Sequence, residues 1–84
     1  MAQVDVKVLL FASYAEQAGK AQLQLSVSAP ATVQDVLRTL RAALPAADRL
    51  PEHPLVAVNR AHARLGTAVQ SGDEVAFLPP MAGG

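Results

Sequence analysis

Thr32-Val33-Gln34-Asp35-Val36-Leu37-Arg38-Thr39-Leu40-Arg41-Ala42-Ala43-Leu44-Pro45 is the stretch that decides the fold. Thr32 is placed to act as an N-cap, and Asp35 three residues later completes a variant of the capping box. Val33, Val36, Leu37, Leu40 and Leu44 recur at helical spacing and form one apolar stripe. Arg38 and Arg41 fall on other faces, the second near the carboxyl end, where the helix dipole favours a cation. Pro45 is expected to close the helix. A helix with one apolar stripe needs a second layer to bury it, so the flanking segments must supply a sheet.

They do. Upstream, Val4, Val6, Val8 and Leu10 alternate with Gln3, Asp5 and Lys7, the period of a strand with one buried face. Leu9 and Phe11 make the other parity apolar at its far end, which predicts cover on both faces there. Ala12 to Ala18 fits a helical turn or a wide loop, ended by Gly19-Lys20. Leu23, Leu25 and Val27 alternate with Gln22, Gln24, Ser26 and Ser28 as a second strand, an edge or hairpin partner that Pro30 stops.

Downstream, Ala46 to Pro54 is a loop holding Pro51 and Pro54. Leu55-Val56-Ala57-Val58 is a continuous apolar run, as expected of an interior strand. Asn59-Arg60 predicts a turn, His62 to Leu65 a brief return strand, and Ser71-Gly72-Asp73 another turn. Glu74 to Leu78 is the last strand. The order predicts a single two-layer α+β domain over 1–84, a mixed sheet covered by one main helix. It matches the β-grasp, or ubiquitin-like, arrangement, whose first and last strands lie parallel in the middle of the sheet.

Composition removes most chemistry. The chain has 84 residues, and seven Lys+Arg balance seven Asp+Glu for a formal net charge of zero, which disfavours a nucleic-acid partner. There is no cysteine, so a disulfide framework, a thiolate metal site and a catalytic cysteine are excluded. Isoleucine and tryptophan are missing and Phe11, Tyr14 and Phe77 are the only aromatics, leaving Val and Leu to build the core. No apolar run nears the roughly 20 residues of a membrane span, and Met1 to Asp5 shows no signal-peptide pattern. The expectation is a cytoplasmic protein with no membrane partner and no metal.

The serines lack a glycine-flanked elbow, and the glycines lack phosphate-loop spacing. His53 and His62 have no supporting acid and read as surface residues. Asp73 and Glu74 are adjacent in a strand register, so they point to opposite faces and cannot act on one bond.

The end of the sequence differs. Leu78 precedes proline and is biased to extended backbone. Pro79-Pro80 stiffens the exit, and Met81-Ala82-Gly83-Gly84 lose bulk stepwise. The six residues from Pro79 reach roughly 20 Å when extended, enough to thread a narrow channel and present a carboxylate inside a partner's active site. Termini also fray, and two glycines can be harmless. Without a thiol, the covalent handle left for an activated group is the Gly84 α-carboxylate.

Parity adds a docking face. If Val8 and Leu10 face the helix, Leu9 and Phe11 face away. If Val75 and Phe77 face inward, Ala76 and Leu78 face away. Phe11 and Leu78 are then expected close together at the root of the tail, as a protein interface or as a second small core under a loop.

Together these residues resemble the small subunit of molybdopterin synthase, a sulfur-carrier family of the β-grasp superfamily. The resemblance runs through Val6 to Ala12, Ala31 to Pro45, Val56 to Asn59, Gly72 to Pro80 and Gly83-Gly84. It implies a protein non-catalytic alone, whose Gly84 carboxylate is adenylated with ATP by an activating enzyme of the ubiquitin-activating type. Sulfur then replaces AMP, and the thiocarboxylate enters the large synthase subunit and donates sulfur to cyclic pyranopterin monophosphate. It implies no permanently bound cofactor and a synthase that is typically a heterotetramer.

By positional match, Phe11 and Leu78 contribute to the large-subunit interface, while Pro79, Pro80, Met81, Ala82 and Gly83 form the flexible tail that delivers Gly84. Arg60 stands where many relatives have glycine, and His62 where an apolar interface residue is common. The alternatives are a carrier for thiamine thiazole, tRNA thiolation or cysteine synthesis, and a β-grasp module that docks without covalent chemistry.

Overall fold

Strand β1 (Gln3–Leu10) alternates as its sequence does: Val4, Val6, Val8 and Leu10 are buried and the residues between them open to solvent or half-covered. In the computed structural model, residues 2–44, 50, 51 and 53–79 are described. The expected helix stop at Pro45, most of the 46–54 loop and the tail from Pro80 lie outside the described residues.

β1 pairs antiparallel with β2 (Gln22–Ser28), the edge expected of the second alternating segment. Between them Ala12–Ala18 resolves into a short helix, α1, closed by Gly19 at φ +76, a backbone region that glycine enters without a Cβ penalty. On its other side β1 runs parallel to β7 (Glu74–Leu78), with Leu10 opposite Phe77. β4 (Leu55–Val58) and β5 (Ala61–Ala63) follow antiparallel, so the sheet order is β2-β1-β7-β4-β5. First and last strands are thus adjacent and parallel in the middle of a mixed sheet, as the element order predicts.

The main helix α2 (Val33–Ala43) begins directly after Thr32, the N-cap expected from sequence. Ala31–Thr32 forms β3, paired with β6 (Ala68–Val69) in a two-stranded sheet. The predicted capping box is present: the Thr32 N–H donates to Asp35 Oδ2 at 2.9 Å and the Asp35 N–H to Thr32 Oγ1 at 3.4 Å. Two further orphan donors of the first turn, from Val33 and Gln34, reach the Thr67 and Leu65 carbonyls at 2.9 Å each.

Val33, Val36, Leu37 and Leu40 are buried against the sheet, each gaining about 2 kcal/mol from leaving water. They join Val6, Val8, Leu25, Val56, Val75, Phe77 and the α1 residue Tyr14 in one core. No described helix is long and apolar enough to cross a membrane.

The end of the sheet farthest from the tail is pinned by polar bonds. Asn59 Nδ2 donates to Asp73 Oδ1 at 2.9 Å, and the Glu74 N–H returns a bond to Asn59 Oδ1 at 2.9 Å. The Gln70 N–H donates to Asp73 Oδ2 at 2.8 Å, and the Lys7 N–H to the Asp73 carbonyl at 3.0 Å. The same turn reaches β1 through the Gly72 N–H, which donates to the Asp5 carbonyl at 2.9 Å.

Candidate functional site

The parallel pairing of β1 and β7 sets the site. Leu10 and Phe77 face each other across the pair and are buried, so both strand ends are fixed to the core. One residue on, Phe11 follows the end of β1 and Leu78 ends β7, paired with Leu55, and strand parity puts both on the face opposite Leu10 and Phe77.

Phe11 keeps extended backbone (φ −117°, ψ 153°) and stands at the N-cap position of α1, where its carbonyl accepts from the Tyr14 N–H at 3.1 Å. Ala12 then takes φ +48, a left-handed conformation costly for a residue with a Cβ. That corner turns the chain into α1 and leaves the Phe11 ring 44% exposed. The expected cover on both faces at this end of β1 is corrected: Leu9 is half-buried and Phe11 open, and among the described residues no second small core forms here.

Along the outer face, polarity falls toward the tail. The row nearest the pinned end holds Gln24, Lys7 and Glu74. The next runs Gln22, Leu9, Ala76, Ala57 and His62. The last pairs Leu78 with Leu55, at the level of Phe11. β4 is the interior strand its apolar run predicts, between β7 and β5, yet Leu55 at its start is 43% exposed. A shallow depression of about 290 Å³ lies between Leu55, Ala57, His62, Leu78 and Pro79.

Pro79 is half-buried at the exit. The predicted tail residues Pro80, Met81, Ala82, Gly83 and Gly84 lie outside the described residues. The sheet therefore presents an open apolar surface at the point where its central strand delivers the chain end, and binding is what such a surface does.

Among the described residues two titratable groups are displaced, and both serve the scaffold. Burial raises the Tyr14 hydroxyl above its ordinary range. Asp73 is lowered, chiefly by the Asn59 side-chain bond and then by the Gln70 N–H.

Residues 8–84 match the ThiS family. The chain belongs to that family. Among its ThiS-family relatives, small archaeal modifier protein 1 of Haloferax volcanii is 40% identical over 89% of this chain and 95% of its own length. The molybdopterin synthase sulfur carrier subunit of Chlamydomonas reinhardtii is 35% identical over 96% of this chain and 100% of the relative. The crystal structure of the Haloferax protein superposes with a TM-score of 0.85 at 36% identity, covering 93% of this chain and 99% of that one. The ubiquitin-like β-grasp fold and the resemblance to molybdopterin synthase sulfur carrier subunits both hold.

Of the predicted interface residues, Leu78 and Pro79 line the depression at the exit, and Phe11 is exposed just past the end of β1. Leu55 belongs to the same patch and was not singled out from sequence. Its signal was present: a large aliphatic at the start of a strand whose neighbours Val56 and Val58 already fill the inner parity.

Proposed function

We propose that this ThiS-family member is a sulfur carrier acting in molybdopterin synthesis through the Gly84 carboxylate. The observation that carries the proposal is the geometry of the exit. A core-anchored central strand ends at Leu78 beside an apolar, uncovered patch, and the family match continues to Gly84. The naming of the algal relative as a sulfur carrier subunit of molybdopterin synthase supports that choice.

In the proposed cycle the Gly84 carboxylate attacks ATP held by an activating enzyme, and pyrophosphate leaves as the acyl-adenylate forms. A sulfide-level nucleophile then adds at the acyl carbon, the C–O bond to AMP breaks, and a thiocarboxylate remains. The large synthase subunit docks on Phe11, Leu55 and Leu78 and takes the tail, Pro79 to Gly83, into its active site. There the sulfur transfers to cyclic pyranopterin monophosphate, and water restores the carboxylate. This chain contributes position and a tether, holding no cofactor permanently, with ATP consumed by the activating enzyme. Catalytic groups belong to the partners.

Higher identity to an archaeal modifier protein favours a second role for the same end, in which activated Gly84 is passed to an amine. Deleting Gly84 tests the proposal: sulfur transfer is expected to fall to background while the thermal melt stays unchanged. Full transfer by the truncated protein would rule the carrier role out.

A further inference from the structure

The open surface does not stop at the edge of the sheet. Three shallow depressions of about 370, 280 and 290 Å³ meet end to end around β5. The first lies on the flank of α2 and shares His53 with the second, which follows the β5 edge. The second shares Leu55 and His62 with the third, at the tail exit. Neighbouring depressions thus adjoin through shared walls, making a row that runs from α2 past β5 to the tail exit, referred to below as the groove.

Among the described residues, the formally charged groups of its lining are all arginines. Arg38, Arg41, Arg64 and both histidines line the groove, and among the described residues no carboxylate lines any part of it. Arg41 spends one N–H on the Pro51 carbonyl at 2.8 Å, which holds that wall in place. Arg38 touches Asp35 at 3.4 Å, but its side chain is 72% exposed, so that pair leaves most of its donors to solvent. β5 is the edge of the five-stranded sheet and pairs on one side only. The groove thus offers arginines along its first two parts, a strand edge along its middle and an apolar seat between Leu55 and Leu78 at its far end.

We propose, resting on the docking role proposed above for the tail-exit patch, that this groove seats an extended acidic segment of the same protein partner that docks there. Its carboxylates lie along Arg38, Arg41 and Arg64, and an apolar side chain enters the depression at the tail exit. A free phosphate fits less well, because the cations are strung along a groove instead of converging on one point. A nucleic acid needs a broad positive field, and the whole chain has a formal charge of zero. A strand edge flanked by fixed charges suits a peptide backbone, with charge complementarity choosing among partners.

The test is an NMR titration of the full isotope-labelled chain. Its probes are a short blocked peptide of alternating Leu and Glu, the same peptide with Gln for Glu, inorganic phosphate, and a single-stranded DNA oligonucleotide. The Glu peptide is expected to shift the amides of His62, Ala63, Arg64 and Arg38. The Gln peptide, and the Glu peptide against an R38Q/R64Q chain, are each expected to bind about tenfold more weakly. The R38Q/R64Q spectrum must otherwise superimpose on that of the parent. No shifts with the Glu peptide, equal binding of the Gln peptide, or equal shifts from phosphate or DNA would each overturn the proposal.

Discussion

Arg60 holds φ +72 directly after Asn59 at φ +52, so the β4–β5 hairpin turns through two left-handed residues. Asn tolerates that region and glycine suits the second position best, whereas arginine brings a Cβ into it. R60G is therefore expected to stabilise the fold by about 1 kcal/mol, read as a rise in chemical-denaturation midpoint at unchanged slope. Asp73 makes a prediction of opposite sense. Its pKa is lowered on folding, so it stabilises the fold above its unfolded pKa and loses that contribution as pH falls through its folded value. D73N should melt below the parent at neutral pH, and the two melting temperatures should converge as pH falls through the lowered folded value of Asp73. At the exit, Phe11 is nearly half exposed, so F11D should change monomer stability by less than about 1 kcal/mol. On the proposed role it weakens assembly with the large synthase subunit at least about tenfold, measured by calorimetry on the purified pair. Unfolding of the isolated variant would return Phe11 to the core.

Among the elements, α2 matches β1 in its share of the core, each burying four hydrophobic side chains. L40A removes a side chain with no exposed surface and should cost about 2–5 kcal/mol, whereas T32A removes only a cap and should cost about 1 kcal/mol. Equal losses would mean that the stripe is less tightly packed than its burial indicates. This helix was legible down to its capping box because eleven residues repeat one pattern and the cap is local chemistry. β3 and β6 were not: two residues cannot display a period, and their pairing depends on carbonyls near Thr67 meeting the start of α2. The outer face was half legible. Alternation assigned Phe11 and Leu78 to it, but an apolar run such as Leu55–Val58 looks the same whether its second face is covered by the chain itself or left open.

Across the whole molecule, polar bonds gather at one end of the sheet and open apolar surface at the other. The Asn59–Asp73 bonds hold the turns so that the parallel central pair delivers Leu78 in a fixed direction. A neutral chain without cysteine first looks too poor for chemistry. Its fold makes sense of that poverty if the reactive group is the chain end and the rest is a handle. The most direct measurement is the intact mass of the protein isolated together with its activating enzyme, ATP and a sulfur source, followed by fragmentation of the tail. The account predicts the gain of one sulfur for one oxygen, located at Gly84. An unmodified Gly84 under conditions where the enzyme consumes ATP, or sulfur placed elsewhere in the chain, would contradict it.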